Sequence, residues 1–103
     1  MMKVAKLSEL PPDSTREVVI GDRTIAVCNS GGTISVLDGT CPHHGGPLGQ
    51  GNVENGFVIC PWHMWEFDCR TGEFDRNPAV KLATYAVEIK GDDICIDLQE
   101  PRA

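Results

Sequence analysis

Two short runs, Cys41-Pro42-His43-His44-Gly45-Gly46 and Cys60-Pro61-Trp62-His63, constrain this chain more than any other stretch of it. Each sets a thiol close to an imidazole on a Pro- or Gly-bearing segment of the kind that turns. Sixteen residues separate His43 from Cys60. One Cys and one His from each run make four donors, two soft sulfurs and two borderline nitrogens. Such a set suits a tetrahedral zinc ion. It equally suits a [2Fe–2S] cluster in which two thiolates hold one iron and two imidazoles the other. Spacing alone separates the two readings by a single choice, His44 as the first-loop donor for zinc or His43 for the cluster.

The rest of the chain alternates rather than coils. Val4 to Leu10 reads as a short strand before a Pro11-Pro12-Asp13 loop, and Arg16 to Ile20 as a second. Arg23 to Asn29 and Thr33 to Asp38 follow across Gly21-Asp22 and Ser30-Gly31-Gly32 turns, an antiparallel meander. Ile25 and Val27 share one face of their strand, Ala26 and Cys28 the other. Pro47-Leu48-Gly49-Gln50-Gly51 is too glycine-rich for a helix. Asn52 to Ile59 reads as a hairpin around Asn55-Gly56, a dipeptide suited to a type I′ turn. Trp65 to Arg70 alternates ring or thiol with charge, so Glu66, Asp68 and Arg70 read as a solvated face. Thr71-Gly72 is a further turn and Arg76-Asn77-Pro78-Ala79 a loop. Thr84 to Lys90 and Ile94 to Leu98 close the chain as a hairpin. No amphipathic helix, repeat or low-complexity tract is visible. The long gap between the runs, the Gly45-Gly46-Pro47 turn and the all-β context favour the cluster; zinc stays open.

Composition narrows the function classes. With 103 residues the chain predicts one domain with a single modest core. A formal net charge of −6 speaks against a nucleic-acid partner and suits a basic patch on a protein. No apolar run approaches the ~18–20 residues of a membrane span, and the N-terminus lacks the apolar stretch of a secretory signal. The expectation is a cytoplasmic protein with no membrane contact. Five cysteines fit a disulfide framework poorly, so Cys28, Cys69 and Cys95 are expected as buried, reduced, small hydrophobes.

Cys41-Pro42-His43-x-Gly45, Cys60-Pro61-Trp62-His63 and the following Glu66-Phe67-Asp68 with Thr71-Gly72 resemble the Rieske-type [2Fe–2S] proteins. They are most similar to stand-alone ferredoxins that feed electrons to ring-hydroxylating dioxygenases. The meander and the closing hairpin match that family's scaffold in number and spacing, so the resemblance covers nearly the whole chain. It implies an all-β fold of small antiparallel sheets, a sandwich base plus a cluster-binding subdomain built from the two ligand loops. The whole of 1–103 would be one Rieske domain, with the subdomain at about 40–78. The resemblance also implies one Rieske-type [2Fe–2S] cluster, with Cys41 and Cys60 on one iron and His43 and His63 on the exposed outer iron. His44 would then be a solvent-facing neighbour. Asn77-Pro78-Ala79 would be a third, proline-bearing loop over the cluster.

Departures from a related branch carry information too. Rieske proteins of cytochrome bc complexes add a second cysteine to each loop, where this chain has Gly46 and Trp62, so their loop disulfide cannot form. They also direct Ser and Tyr hydroxyls at the cluster sulfurs, where this chain has Trp65 and Phe67. Fewer such hydrogen bonds stabilise the reduced cluster less, which points to the low-potential end of the range. Trp62 and Trp65 are expected to pack beside the cluster and restrict water.

A catalytic mononuclear iron site fails on counting. It needs two histidines and a carboxylate, and of three histidines the cluster takes two. No Gly-x-Gly-x-x-Gly follows a strand, so a nicotinamide or flavin domain is unsupported. The expected function is a one-electron carrier rather than an enzyme, a component of an oxidoreductase system. Its partners would be a flavin reductase and a terminal oxygenase or other oxidoreductase. Two alternatives remain, a small electron-transfer or regulatory subunit of an assimilatory nitrite reductase and a zinc-binding structural module.

Overall fold

The computed structural model of the chain describes residues 2–41, 45–62 and 64–102. In chain order the strands are β1 (Met2–Lys6), β2 (Ser14–Ile20), β3 (Arg23–Ser30), β4 (Thr33–Asp38), β5 (Asn52–Glu54) and β6 (Phe57–Ile59). They continue with β7 (Glu66–Asp68), β8 (Glu73–Phe74), β9 (Asn77–Lys81), β10 (Thr84–Lys90) and β11 (Asp93–Arg102). Two single 3₁₀ turns, Leu7–Glu9 and Leu48–Gln50, complete the regular structure, and no α-helix occurs among the described residues. The fold is all-β and antiparallel, as the alternation requires.

Six strands form one sheet in the order β1-β11-β10-β4-β3-β2. The meander β2-β3-β4 runs in unbroken register from Ser14↔Asn29 to Ile20↔Arg23 and from Ile25↔Asp38 to Ser30↔Thr33. Only Thr84↔Leu37 and Tyr85↔Val36 join it to the closing hairpin. Residues from both halves nevertheless share one core: Ile25, Val27, Val36, Tyr85, Ile94 and Ile96 pack together with Ala5 and Leu10. The sheet therefore bends at that narrow junction and closes on itself like a sandwich.

The other five strands form a smaller sheet, β5-β6-β7-β8-β9. Its hairpin turns at Asn55-Gly56 with φ of 52° and 84°, the two positive values a type I′ turn needs. A second core lies between this sheet and the outer face of the meander, containing Ala26, Cys28, Leu37, Val58, Phe67 and Phe74. That is why both faces of β3 are apolar. Ile25 and Val27 serve one core, Ala26 and Cys28 the other, and all four are fully buried.

Three local expectations change. The first strand stops at Lys6, because Asp92 captures the chain: its carbonyl accepts from the Leu7 N–H at 2.8 Å and its carboxylate from the Ser8 N–H and hydroxyl at 3.0 and 2.8 Å. Residues 7–9 turn there and bury Leu10. The glycine-rich segment after Pro47 makes no α-helix, yet Leu48–Gln50 closes one 3₁₀ turn through a Gly51 N–H to Leu48 carbonyl bond of 3.0 Å. The segment Asn77-Pro78-Ala79 is not a loop but the start of β9. β9 is the edge of its sheet, and an edge is where a residue with no N–H to donate is tolerated.

Candidate metal centre

Cys41 and Cys60 stand at the start of two loops closed in the same way. The Cys41 N–H donates to the Gly46 carbonyl at 2.9 Å, and the Cys60 N–H donates to the Trp65 carbonyl at 2.8 Å. Each thus pins a six-residue loop, 41–46 or 60–65, across its base. The first is tightened by a Gly45 N–H to Cys41 carbonyl bond of 2.8 Å and anchored by a Thr40–Pro47 bridge. Left-handed residues complete both turns, Gly45 at φ 75° in the first and Met64 at φ 61° in the second. One loop follows β4 of the large sheet and the other follows β6 of the small sheet, so packing of the two sheets brings the loops together.

They meet closely. A Cβ on Gly46 would lie 2.6 Å from the Cys60 Sγ and 3.3 Å from the Trp62 Cβ, closer than real Cβ atoms approach a sulfur. Only glycine lets the first loop lie on the second thiol. Cys41 and Cys60 are both free thiols, at most 1% exposed, and belong to the same buried core. Burial pushes the Cys60 thiol above its ordinary pKa and the Cys41 sulfur pushes it further, while the Trp62 backbone N–H, donating to the sulfur, opposes both. A bound metal takes the place of those thiol protons, because a coordinating thiol is deprotonated outright.

Against the loops stands an aromatic wall. Trp65 is half-buried and stacks on Phe74 with ring centroids 4.1 Å apart, and Phe67 packs against Phe74 at 5.5 Å. Phe67 is fully buried, so no hydroxyl stands where that ring lies. Trp62 departs from the expected packing: it is 49% exposed, and Met64 next along the loop is 62% exposed. The turn after β8 closes beside them, with the Asp75 N–H on the Glu66 carbonyl at 2.9 Å and Arg76 sharing a small cleft with Met64 and Trp65. Cys28, Cys69 and Cys95 are buried and free, as expected. The sequence reading missed that Cys28 and Cys69 enter the same core as the two loop cysteines, since no spacing rule joins residues so far apart.

Of the expected donors, His43 and His63 lie outside the described residues, as does His44. The described donors fit a thiophilic metal group: two buried thiols in one core, each at the base of a loop closed by its own backbone N–H, with a backbone N–H acting on one sulfur. Hydrogen bonds of that kind to cluster sulfurs are among the factors that set an iron–sulfur potential.

Comparisons with known proteins agree. A sequence model described as the Rieske [2Fe-2S] domain matches residues 1–86. The ferredoxin component of biphenyl 2,3-dioxygenase from Rhodococcus jostii is 34% identical over 100 residues, covering 96% of this chain and 94% of that protein. The ferredoxin of Sphingomonas yanoikuyae B1 superposes with a TM-score of 0.84 at 26% identity, covering 93% of this chain and 96% of that one. A chain from the complex of reduced oxygenase and oxidized ferredoxin in carbazole 1,9a-dioxygenase gives 0.84 at 28% identity, covering 93% and 100%. No helix among the described residues is long and apolar enough to cross a membrane.

Proposed function

The chain belongs to the Rieske [2Fe–2S] domain family, and we propose that within it the protein is a one-electron carrier between a flavin reductase and a terminal oxygenase. The observation that carries this reading is the pair of loops, each clamped by its cysteine N–H, that bring the buried Cys41 and Cys60 into one core. The near-complete coverage of a ferredoxin component by this chain supports it. A [2Fe–2S] cluster supplies a single reversible electron and no substrate chemistry.

The proposed ligands are Cys41 and Cys60 for one iron and His43 and His63 for the other, in a single domain whose cluster-binding part spans about residues 40–78. Cys41 and Cys60 bury the sulfur end and exclude water from it. Trp62 and Met64, the chain neighbours of His63, leave apolar surface on the second loop where a partner can press close. The net charge of −6 complements a basic partner, and the protein acts in the cytoplasm as a component of an oxidoreductase system rather than as an enzyme.

Purified protein is expected to carry about two irons and two acid-labile sulfides per chain. Substituting His43→Ala should abolish the visible spectrum and His44→Ala should keep it. One zinc in a colourless protein overturns the cluster. A loaded cluster that accepts no electron from any flavin reductase overturns the carrier role while leaving the site intact.

A further inference from the structure

A cavity of about 430 Å³ opens where the small sheet meets the narrow junction of the large one, and no described residue of either ligand loop lines it. The pairing of the large sheet explains why it exists. β10 pairs with β4 only at Thr84↔Leu37 and Tyr85↔Val36, and its register with β11 slips between Tyr85 and Val87. Thr33 to Ser35 of β4 therefore have no partner in β10, and Ile34 and Ser35 line the opening instead. The opposite wall is the turn after β7, with Cys69, Arg70 and Thr71. Backbone hydrogen bonds fix that turn from both ends. The Cys69 N–H donates to the Gly56 carbonyl at 2.9 Å, the Gly72 N–H to the Asp68 carbonyl at 2.8 Å, and the Leu82 N–H to the Gly72 carbonyl at 2.9 Å. The cavity is thus largely preformed, as small-molecule sites usually are.

Its lining combines two kinds of chemistry. Ile34, Val36 and Val87 supply apolar surface with the Tyr85 ring beside them, while Arg70 and Lys81 supply two cations. The chain has 15 acidic residues against nine Lys and Arg, yet no carboxylate is among the described lining. Two acids flank the cavity without entering it. Asp68 meets the Arg70 Nε only at 4.0 Å, its carboxylate already accepting the Arg70 N–H at 2.8 Å, and Glu73 stands opposite Lys81 in the β8–β9 register. A neighbouring cavity of about 260 Å³ shares Ser35, Cys69 and Arg70 but includes Asp68, so only the larger one is purely cationic. We propose that the 430 Å³ cavity is a binding site for a small carboxylate with an apolar body. The body covers Ile34, Val36 and Val87, and the carboxylate accepts from the Arg70 guanidinium, whose paired N–H groups match two oxygens, and from the Lys81 ammonium. The volume lies within the ~300–1,000 Å³ usual for such sites.

The position of the site gives binding a consequence. A molecule held there touches β4 and β10 of the large sheet together with the turn after β7 and the end of β9 of the small one. It therefore ties the two sheets together and stabilises their packed state by mass action. The site uses no cluster ligand, so its failure and the failure of the carrier reading are separate results.

The test titrates the oxidised, cluster-loaded, ¹⁵N-labelled protein with benzoate at low salt and follows the amide shifts. The expected result is saturable shifts at Ile34, Ser35, Thr71 and Val87 with a Kd of about 1 mM or tighter, a fair affinity for so small a molecule. Benzyl alcohol, which keeps the ring and loses the charge, and inorganic phosphate, which keeps the charge and loses the ring, should each bind about tenfold more weakly. Arg70→Gln and Lys81→Gln should each raise the benzoate Kd about fivefold or more. Lys90→Gln, an exposed cation outside the cavity, should leave it unchanged. No saturable shift at those amides up to about 20 mM benzoate, a Kd indifferent to both cavity substitutions, or equal binding of benzyl alcohol or phosphate would each overturn the proposal. The shift map of the unsubstituted protein decides even if a variant fails to fold.

Discussion

The large sheet and the small sheet solve the problem of staying folded differently. The large one has strands of five to ten residues, two-residue turns and a core of Ile25, Val27, Val36, Ile94 and Ile96. Most of its order comes from cross-strand pairs and apolar burial, terms that need nothing but the polypeptide. The small one has strands of two to five residues, and its core contains four thiols and the Trp65–Phe67–Phe74 rings. Strands that short hold little by pairing, so the loop clamps and a bound cluster are expected to carry more of the load. The region proposed to bind the cluster is thus the one expected to lean on it.

The hardest blow to that contrast is removal of a proposed ligand. Cys60→Ser should eliminate iron entirely, and hydrogen exchange should quicken across β5 to β9 while β3, β4 and β11 stay protected. Uniform loss of protection would show that the large sheet depends on the cluster as well. Next comes truncation in each core. Phe67→Ala should cost about 3–5 kcal/mol and Ile25→Ala about 2–5 kcal/mol in denaturant titrations. Only the first should speed iron loss to a chelator, because only Phe67 packs into the wall beside the loops.

A smaller effect sits within the large sheet, where the meander meets the closing hairpin. Tyr85 donates its hydroxyl to Asp38 at 2.7 Å, just before the first ligand loop, and burial beside that carboxylate pushes its pKa up to about 12. Below pH 10 the phenol is neutral both folded and unfolded, so it contributes no pH dependence. Above pH 10 the unfolded chain ionises first, so stability should fall between pH 10 and 12 by about 2–3 kcal/mol. Tyr85→Phe should flatten that limb, and a limb of unchanged slope would show that another group governs it. The smallest effects are at the surface. Val19 is 66% exposed on β2 and Trp62 49% exposed on the second loop. Val19→Thr and Trp62→Ala should each change stability by no more than about 0.5 kcal/mol. Stopped-flow transfer should nevertheless slow for Trp62→Ala alone, if the loop tip is where a partner docks.

Much of this architecture was legible in residues close together in the chain. The four proposed donors, the Asn55-Gly56 turn, the meander and the closing hairpin are all short-range patterns, governed by turn chemistry and period-2 alternation. Trp62, read as packing, proved half exposed, because a pattern of rings does not say which lies at a loop tip. The 3₁₀ turn at Leu7–Glu9 depends on Asp92, far along the chain, and the strand at Asn77–Lys81 on a neighbour that leaves Pro78 at an edge. The burial of both faces of β3 and the meeting of the two clamped loops over Gly46 exist only once one sheet packs on the other. Local sequence sets φ, ψ and the facing of side chains, whereas which distant faces meet is chosen by burial of apolar area, and that choice belongs to the whole chain at once.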